Sequence, residues 1–176
     1  MEPPTIRTWA RSAVMTGVLA SLLLVGCGDS ATESITDDGS SLGVQEAYIQ
    51  VLETVNEYEA GAQSAAQADG PVGLADFAIT NGDRLLDATT VLNGALGRDP
   101  GAQGFPEPEL IAQAAAGATV YAESLSLVAD RLAQCPEGDE VCYDEAYDSG
   151  ATGSEGRDQF RQAVAAIQEV AQSGSE

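Results

Sequence analysis

The spacing of apolar residues beyond position 44 constrains the fold of this chain more than any other feature. The most regular stretch begins at Pro108, and its apolar residues recur every three or four positions: Leu110, Ala114, Ala118, Tyr121, Leu125, Val128 and Leu132. This is the period of an α-helix with one buried face. No segment alternates with the period of two that a half-buried strand requires. The sequence therefore predicts an all-α fold.

Three other segments have the same helical period. One begins at Val44, and a second begins at Pro71 and extends to Gly97, with Thr80-Asn81-Gly82-Asp83 as a point where it kinks or splits. A third follows a Ser154 cap and extends to Ala171. Amphipathic helices cannot bury their apolar faces separately, and the connections are short. Residues 44–176 are therefore predicted to form an antiparallel up-and-down four-helix bundle.

The sequence lacks the residues that most enzyme chemistry uses. It contains no histidine, which excludes Ser-His-Asp and Cys-His triads and histidine-based zinc sites. Neither of the common glycine-rich phosphate-binding motifs occurs. Carboxylate pairs at helical spacing, such as Glu53 with Glu57, are predicted to lie on solvated faces. We expect no enzymatic activity, no cofactor and no dedicated metal site.

The net charge narrows the range of partners. Residues 27–176 contain 27 of the 28 acidic residues and five of the seven arginines, which leaves a formal charge of −22. A domain this acidic repels phosphate backbones and anionic lipid head groups, so nucleic acid is not an expected partner. Cations and basic proteins remain possible partners.

The N-terminus has the organisation of an export signal. Arg7 and Arg11 precede fourteen uncharged residues, Ala13 to Gly26, which end in the apolar run Leu22-Leu23-Leu24-Val25. These are the basic and apolar regions of a signal peptide. A spanning helix needs about 20 apolar residues, so this segment is too short to anchor the protein by itself. Residues 1–26 are predicted to be a cleaved signal peptide.

The signal segment ends in Leu24-Val25-Gly26-Cys27, which resembles the lipobox of bacterial lipoproteins at all four positions. The resemblance implies that the Cys27 thiol receives diacylglycerol and that cleavage occurs before Cys27. It also implies that the new amino terminus can receive a further acyl chain such as palmitate. Two or three acyl chains anchor a protein stably. The chain would then be held on the extracytoplasmic face of a membrane, on the periplasmic side or at the cell surface.

The residues after Cys27 are rich in Gly, Ser, Thr and Asp. Such a composition is typical of a flexible linker, and residues 27–43 are predicted to tether the helical domain to the lipid. Outside the cytoplasm, the remaining pair, Cys135 and Cys142, is expected to form a disulfide after the third helix. Zinc is disfavoured because two thiols without histidine fall short of four ligands, and a redox pair usually has the C-x-x-C spacing.

Two functions fit these features. The first is a non-catalytic interaction or binding module on a membrane-anchored lipoprotein, with an extracytoplasmic protein partner. The alternative is a lipoprotein that binds a small ligand in a pocket around Asn81, Tyr121 and Phe105, or binds calcium. The calcium ligands would come from a loop over residues 137–148 with six acidic side chains: Glu137, Asp139, Glu140, Asp144, Glu145 and Asp148. A buried Asn81 is more often explained by a bond to a neighbouring backbone group.

Overall fold

A computed structural model describes residues 42–102, 105 and 107–173 of the chain. These residues form five helices and no strand: α1 (Val44–Asn81), α2 (Arg84–Arg98), α3 (Pro108–Leu132), α4 (Glu140–Asp148) and α5 (Thr152–Ser173). The predicted all-α class is confirmed. The predicted third helix is also confirmed, because α3 begins at Pro108, which takes a first-turn position where its missing N–H costs nothing.

The chain reverses direction within α1. Asp69 and Gly70 leave helical geometry, and Gly70 has φ +61° and ψ −141°, a region that side chains rarely permit. Beyond the reversal, the Phe77 ring lies 5.3 Å from the Tyr58 ring, although the two residues are 19 positions apart. A straight helix would separate them by about 28 Å. Residues 71–81 therefore fold back on residues 44–68, and the predicted helix start at Pro71 is confirmed.

A second interruption separates α1 from α2 at Gly82 and Asp83, where the sequence predicts a kink or split. Beyond it, α2 continues back along residues 44–68. Arg84 at the start of α2 pairs with Glu57 at 2.9 Å. At the other end of α2, Arg98 donates a hydrogen bond to the carbonyl of Leu42 at 3.2 Å. The segment from Pro71 to Arg98 is therefore one broken helical arm, antiparallel to residues 44–68.

The contacts of α3 with α2 and α5 also indicate antiparallel packing. Asn93 of α2 donates to Thr119 at 3.0 Å, and Ser126 donates to Asp83 at 2.6 Å, so α2 and α3 run antiparallel. The backbone of α3 near Gly117 faces Gly156 and Phe160 of α5, whereas Ser124 faces Gly150 and Gly153. Consecutive long segments are therefore antiparallel, which is compatible with an up-and-down bundle.

Buried apolar residues form two clusters. The larger cluster joins α1, α2, α3 and α5 through small alanines and a few large side chains, among them Val51, Leu85, Leu92, Ile111 and Phe160. The smaller cluster joins the second arm of α1 and the end of α3 to α4: Ala75, Ala78, Val128, Leu132, Tyr143 and Ala146. The smaller cluster is the part of the core that α4 covers.

Two details of the predicted helices are wrong. Residues 140–148 form the helix α4, whereas the sequence predicts a loop over residues 137–148. The last helix begins at Thr152, two residues before the predicted Ser154 cap, and the Ser154 hydroxyl donates to the carbonyl of Ala151 at 2.8 Å. The backbone N–H of Gly153 donates a hydrogen bond to the carbonyl of Gly150. This turn leads into α5, which therefore begins before the predicted cap.

Candidate functional site

The predicted disulfide is present. Cys135 and Cys142 are bonded, with their Cα atoms 5.7 Å apart. Cys135 follows α3, and Cys142 lies in the first turn of α4. The bond closes the short connection between these helices and fixes where α4 begins. Both cysteine residues are partly exposed.

Most of the predicted acidic loop is a helix, α4. Asp139 caps α4, because its Oδ1 accepts a hydrogen bond from the backbone N–H of Cys142 at 3.2 Å. The other carboxylates on α4 are exposed: Glu140, Asp144, Glu145 and Asp148. Within residues 42–102, 105 and 107–173, no three carboxylate or thiol side chains gather as a metal site would require. No observation therefore favours the calcium alternative.

The residues predicted to line a small-ligand pocket do not converge. The Asn81 side chain donates to the carbonyl of Phe77 at 2.9 Å, the backbone role that the sequence favours. Tyr121 is buried, and Phe105 packs edge-on against Tyr48 with ring centres 5.5 Å apart. Phe105 also faces Leu110 at the start of α3 across a depression that holds no water-sized space. Asn81 is next to Gly82, which lies against Leu125 and Ala129 near the opposite end of α3.

A cluster that the sequence does not predict joins α1, α3, α4 and α5. We call it the tyrosine–arginine cluster, and its members are Tyr58, Glu59, Tyr121, Tyr147, Arg157 and Arg161. Arg161 donates to Glu59 Oε2, which ties α5 to α1. Three buried polar atoms here have no hydrogen-bond partner: Glu59 Oε1, Tyr147 Oη and Arg157 Nε. They are the buried side-chain polar atoms without a hydrogen-bond partner in the described part of the chain, and Arg157 Nε lies 3.6 Å from Asp158 Oδ1.

Burial dominates the electrostatics of the cluster. Burial raises the pKa of Tyr58 to about 12. It raises the pKa of Tyr121 further, with the Glu59 charge adding to the rise and the two arginines opposing it. Burial also raises the pKa of Tyr147, with smaller contributions from Tyr58 and Tyr143. All these hydroxyls therefore stay protonated and neutral at physiological pH and act in the cluster as hydrogen-bonding groups.

The sequence contains only a weak signal for this cluster. Tyr58 and Tyr121 lie on the apolar faces of their helices, where an aromatic ring is expected in the core. Arg157 and Arg161 are four residues apart and therefore share one face of α5. Glu59, the partner of Arg161, lies 102 positions earlier, and periodicity cannot pair residues across that separation.

The predicted lipidation residue, Cys27, lies outside the described residues, as do the signal peptide 1–26 and the linker up to residue 41. The last two linker residues are described and are attached to the bundle. Leu42 packs against the larger core cluster, and its carbonyl accepts from Arg98. Gly43 caps α1, and its N–H donates to the Glu46 carboxylate at 3.2 Å. Leu42 and Gly43 therefore belong to the helical domain, two residues before its predicted start at Val44.

None of the helices in the described ranges is long and apolar enough to cross a membrane. No protein-family model, curated protein or solved structure matches this chain.

Proposed function

We propose that this chain is a bacterial lipoprotein that is exported by residues 1–26 and anchored by lipid on Cys27. The observation that carries the proposal is Leu24-Val25-Gly26-Cys27 directly after a short basic and apolar leader. The cysteine chemistry supports it. Since Cys135 and Cys142 bond to each other, Cys27 is the one cysteine left for acylation. The disulfide also agrees with an oxidising, extracytoplasmic location.

The described domain begins at the end of the bundle opposite α4. The linker joins the bundle at Leu42, beside the end of α2 and hence near the start of α3. The helix α4 packs on Val128 and Leu132 at the other end of α3. A 25-residue helix is about 37 Å long. The chain therefore enters the described domain at the end of α3 opposite to the one that α4 covers.

We further propose that the helical domain is a non-catalytic interaction module. The described residues carry a large excess of acidic side chains, and the exposed face of α4 carries four carboxylates without a basic residue. Such a face favours a basic partner and suppresses association with acidic surfaces.

Membrane fractionation of bacteria expressing matched variants tests the anchoring proposal. The full chain is expected in the membrane fraction and is released from it by detergent, because acyl chains partition into lipid. Cys27→Ala removes the acylated thiol and is expected to abolish lipid labelling. The matched control is Cys135→Ala/Cys142→Ala, which removes two cysteines and leaves Cys27. Lipid incorporation that is retained by Cys27→Ala, or lost from the control, would contradict the proposal.

A further inference from the structure

The helix α4 is a poor helix by its own sequence. It has nine residues, and isolated helices shorter than about 12 residues are marginal in water. Asp144 lies four positions from both Glu140 and Asp148, so like charges repel along one face. Asp148 and Glu145 also place negative charge at the C-terminal end, which has no basic residue to offset the helix dipole. Contacts outside α4 must therefore hold it in place.

Those contacts are few. Tyr143 and Ala146 are the buried residues of α4, and they pack on the smaller core cluster beside Val128 and Leu132. The Tyr143 hydroxyl accepts a hydrogen bond from the N–H of Gly138 at 3.0 Å, which fastens the preceding turn. Asp139 caps the first turn, and Tyr147 packs partly buried against the same cluster. A covalent attachment is added by Cys135–Cys142.

A reductant can reach this bond. Cys135 and Cys142 are partly exposed, and the residues between them from Pro136 to Val141 are all exposed. Val141, the residue next to Cys142, is 70% exposed although it is a large apolar residue.

We propose that α4 is a lid held by a redox-sensitive latch, and that reduction of Cys135–Cys142 releases it while the rest of the bundle stays folded. In this step a dithiol donor attacks the disulfide and the S–S bond breaks. The donor transfers two electrons and two protons to the two cysteine sulfurs and is itself oxidised to a disulfide, so Cys135 and Cys142 become free thiols. Release uncovers Val128 and Leu132, and it withdraws Tyr147 from the tyrosine–arginine cluster. The inference does not depend on lipidation of Cys27.

Hydrogen exchange of the purified full chain, with and without dithiothreitol, tests the lid. Loss of an eight-residue loop constraint corresponds to roughly a tenfold to hundredfold increase in the exchange rates of the α4 amides after Tyr143. The amides of α3 and α5 are expected to keep their protection. Reoxidation should restore the slow exchange of α4. Unchanged α4 exchange after complete reduction would overturn the proposal, and so would equal loss of protection in α3 and α5.

A variant with altered charge on α4 distinguishes local opening of α4 from a general loss of stability of the bundle. Asp144→Asn/Asp148→Asn removes the repulsion along α4, and in the reduced protein it is expected to slow α4 exchange by about two- to fivefold. The matched control is Glu155→Gln, which removes an exposed carboxylate from α5 and should leave α4 exchange unchanged. The proposal fails if the two variants have the same effect on α4. The double variant Cys135→Ser/Cys142→Ser should reproduce the reduced state without reductant.

Discussion

Gly117 of α3 and Gly156 of α5 face each other so closely that neither position has space for a side chain. A Cβ atom on Gly117 would lie 2.8 Å from the carbonyl oxygen of Gly156 and 2.6 Å from the backbone nitrogen of Phe160. A Cβ atom on Gly156 would lie 2.7 Å from the backbone nitrogen of Tyr121. The atoms that block each added Cβ belong to the backbone, which cannot change rotamer as a side chain can. This contact sets the distance between the two helices and brings Phe160 into the core.

Gly117→Ala is therefore expected to destabilise the domain by about 1–3 kcal/mol, since the helices must separate to admit one methyl group. Gly97→Ala in α2 is the control, because no atom lies within 4 Å of the added Cβ. A helix-favouring alanine there should be neutral or stabilise by up to about 1 kcal/mol. Urea unfolding measures both variants. Equal free energies of unfolding for the two variants would contradict the close contact.

Gly70→Ala tests the reversal inside α1. With φ at +61° and ψ at −141°, an alanine is strained by about 1–3 kcal/mol although no neighbouring atom blocks its Cβ. The loss should appear as a lower midpoint in urea with an unchanged slope. A variant as stable as Gly97→Ala would show that the chain does not turn back at this residue.

The ion pair between Arg161 and Glu59 should matter more than the pair between Arg84 and Glu57. The Glu59 side chain is only 26% exposed and has a second oxygen without a partner, whereas Arg84 and Glu57 are both more than half exposed. Arg161→Ala should cost about 1 kcal/mol, because it leaves a partly buried charge unpaired. Arg84→Ala should cost less than about 0.5 kcal/mol. Chemical unfolding that reverses this order would contradict the arrangement of α5 against α1.

Stability should fall steeply in alkali. Burial raises the pKa of Tyr48 and of Tyr58 to about 12, from the ordinary value of 10.0. Above pH 10 the unfolded chain loses these protons while the folded chain keeps them, so the stabilising contribution is complete below pH 10 and disappears as the pH rises to 12. Tyrosinate absorbance and circular dichroism should therefore change together in this range. Ionisation of all tyrosines near pH 10 with the helices intact would contradict the burial.

The elements that could be predicted from the sequence are those determined by residues close to each other along the chain. The period of α3, its start at Pro108, the break near Gly82 and the reversal before Pro71 all follow from local spacing and from the backbone limits of Gly and Pro. The disulfide follows from two cysteines close in sequence in a chain that carries an export signal.

The helix α4 was not predicted because its local signals oppose it. The four carboxylates on nine residues are typical of a solvated loop, and the Asp139 cap, the disulfide and the packing of Tyr143 and Ala146 reverse that preference. The tyrosine–arginine cluster was missed for another reason. Its members come from four helices, and the pairing of Glu59 with Arg161 depends on the approach of α5 to α3 at glycines whose role becomes visible only in three dimensions.

Mass spectrometry of the amino-terminal peptide tests the central claim most directly. The protein is extracted from membranes of the expressing bacterium, digested, and analysed beside the Cys135→Ala/Cys142→Ala variant as a control for the other cysteines. The account predicts a first peptide that begins at Cys27 and carries diacylglycerol on its thiol, in both proteins. A peptide that begins elsewhere, or an unmodified Cys27, would contradict lipid anchoring and leave an exported helical domain without a membrane attachment.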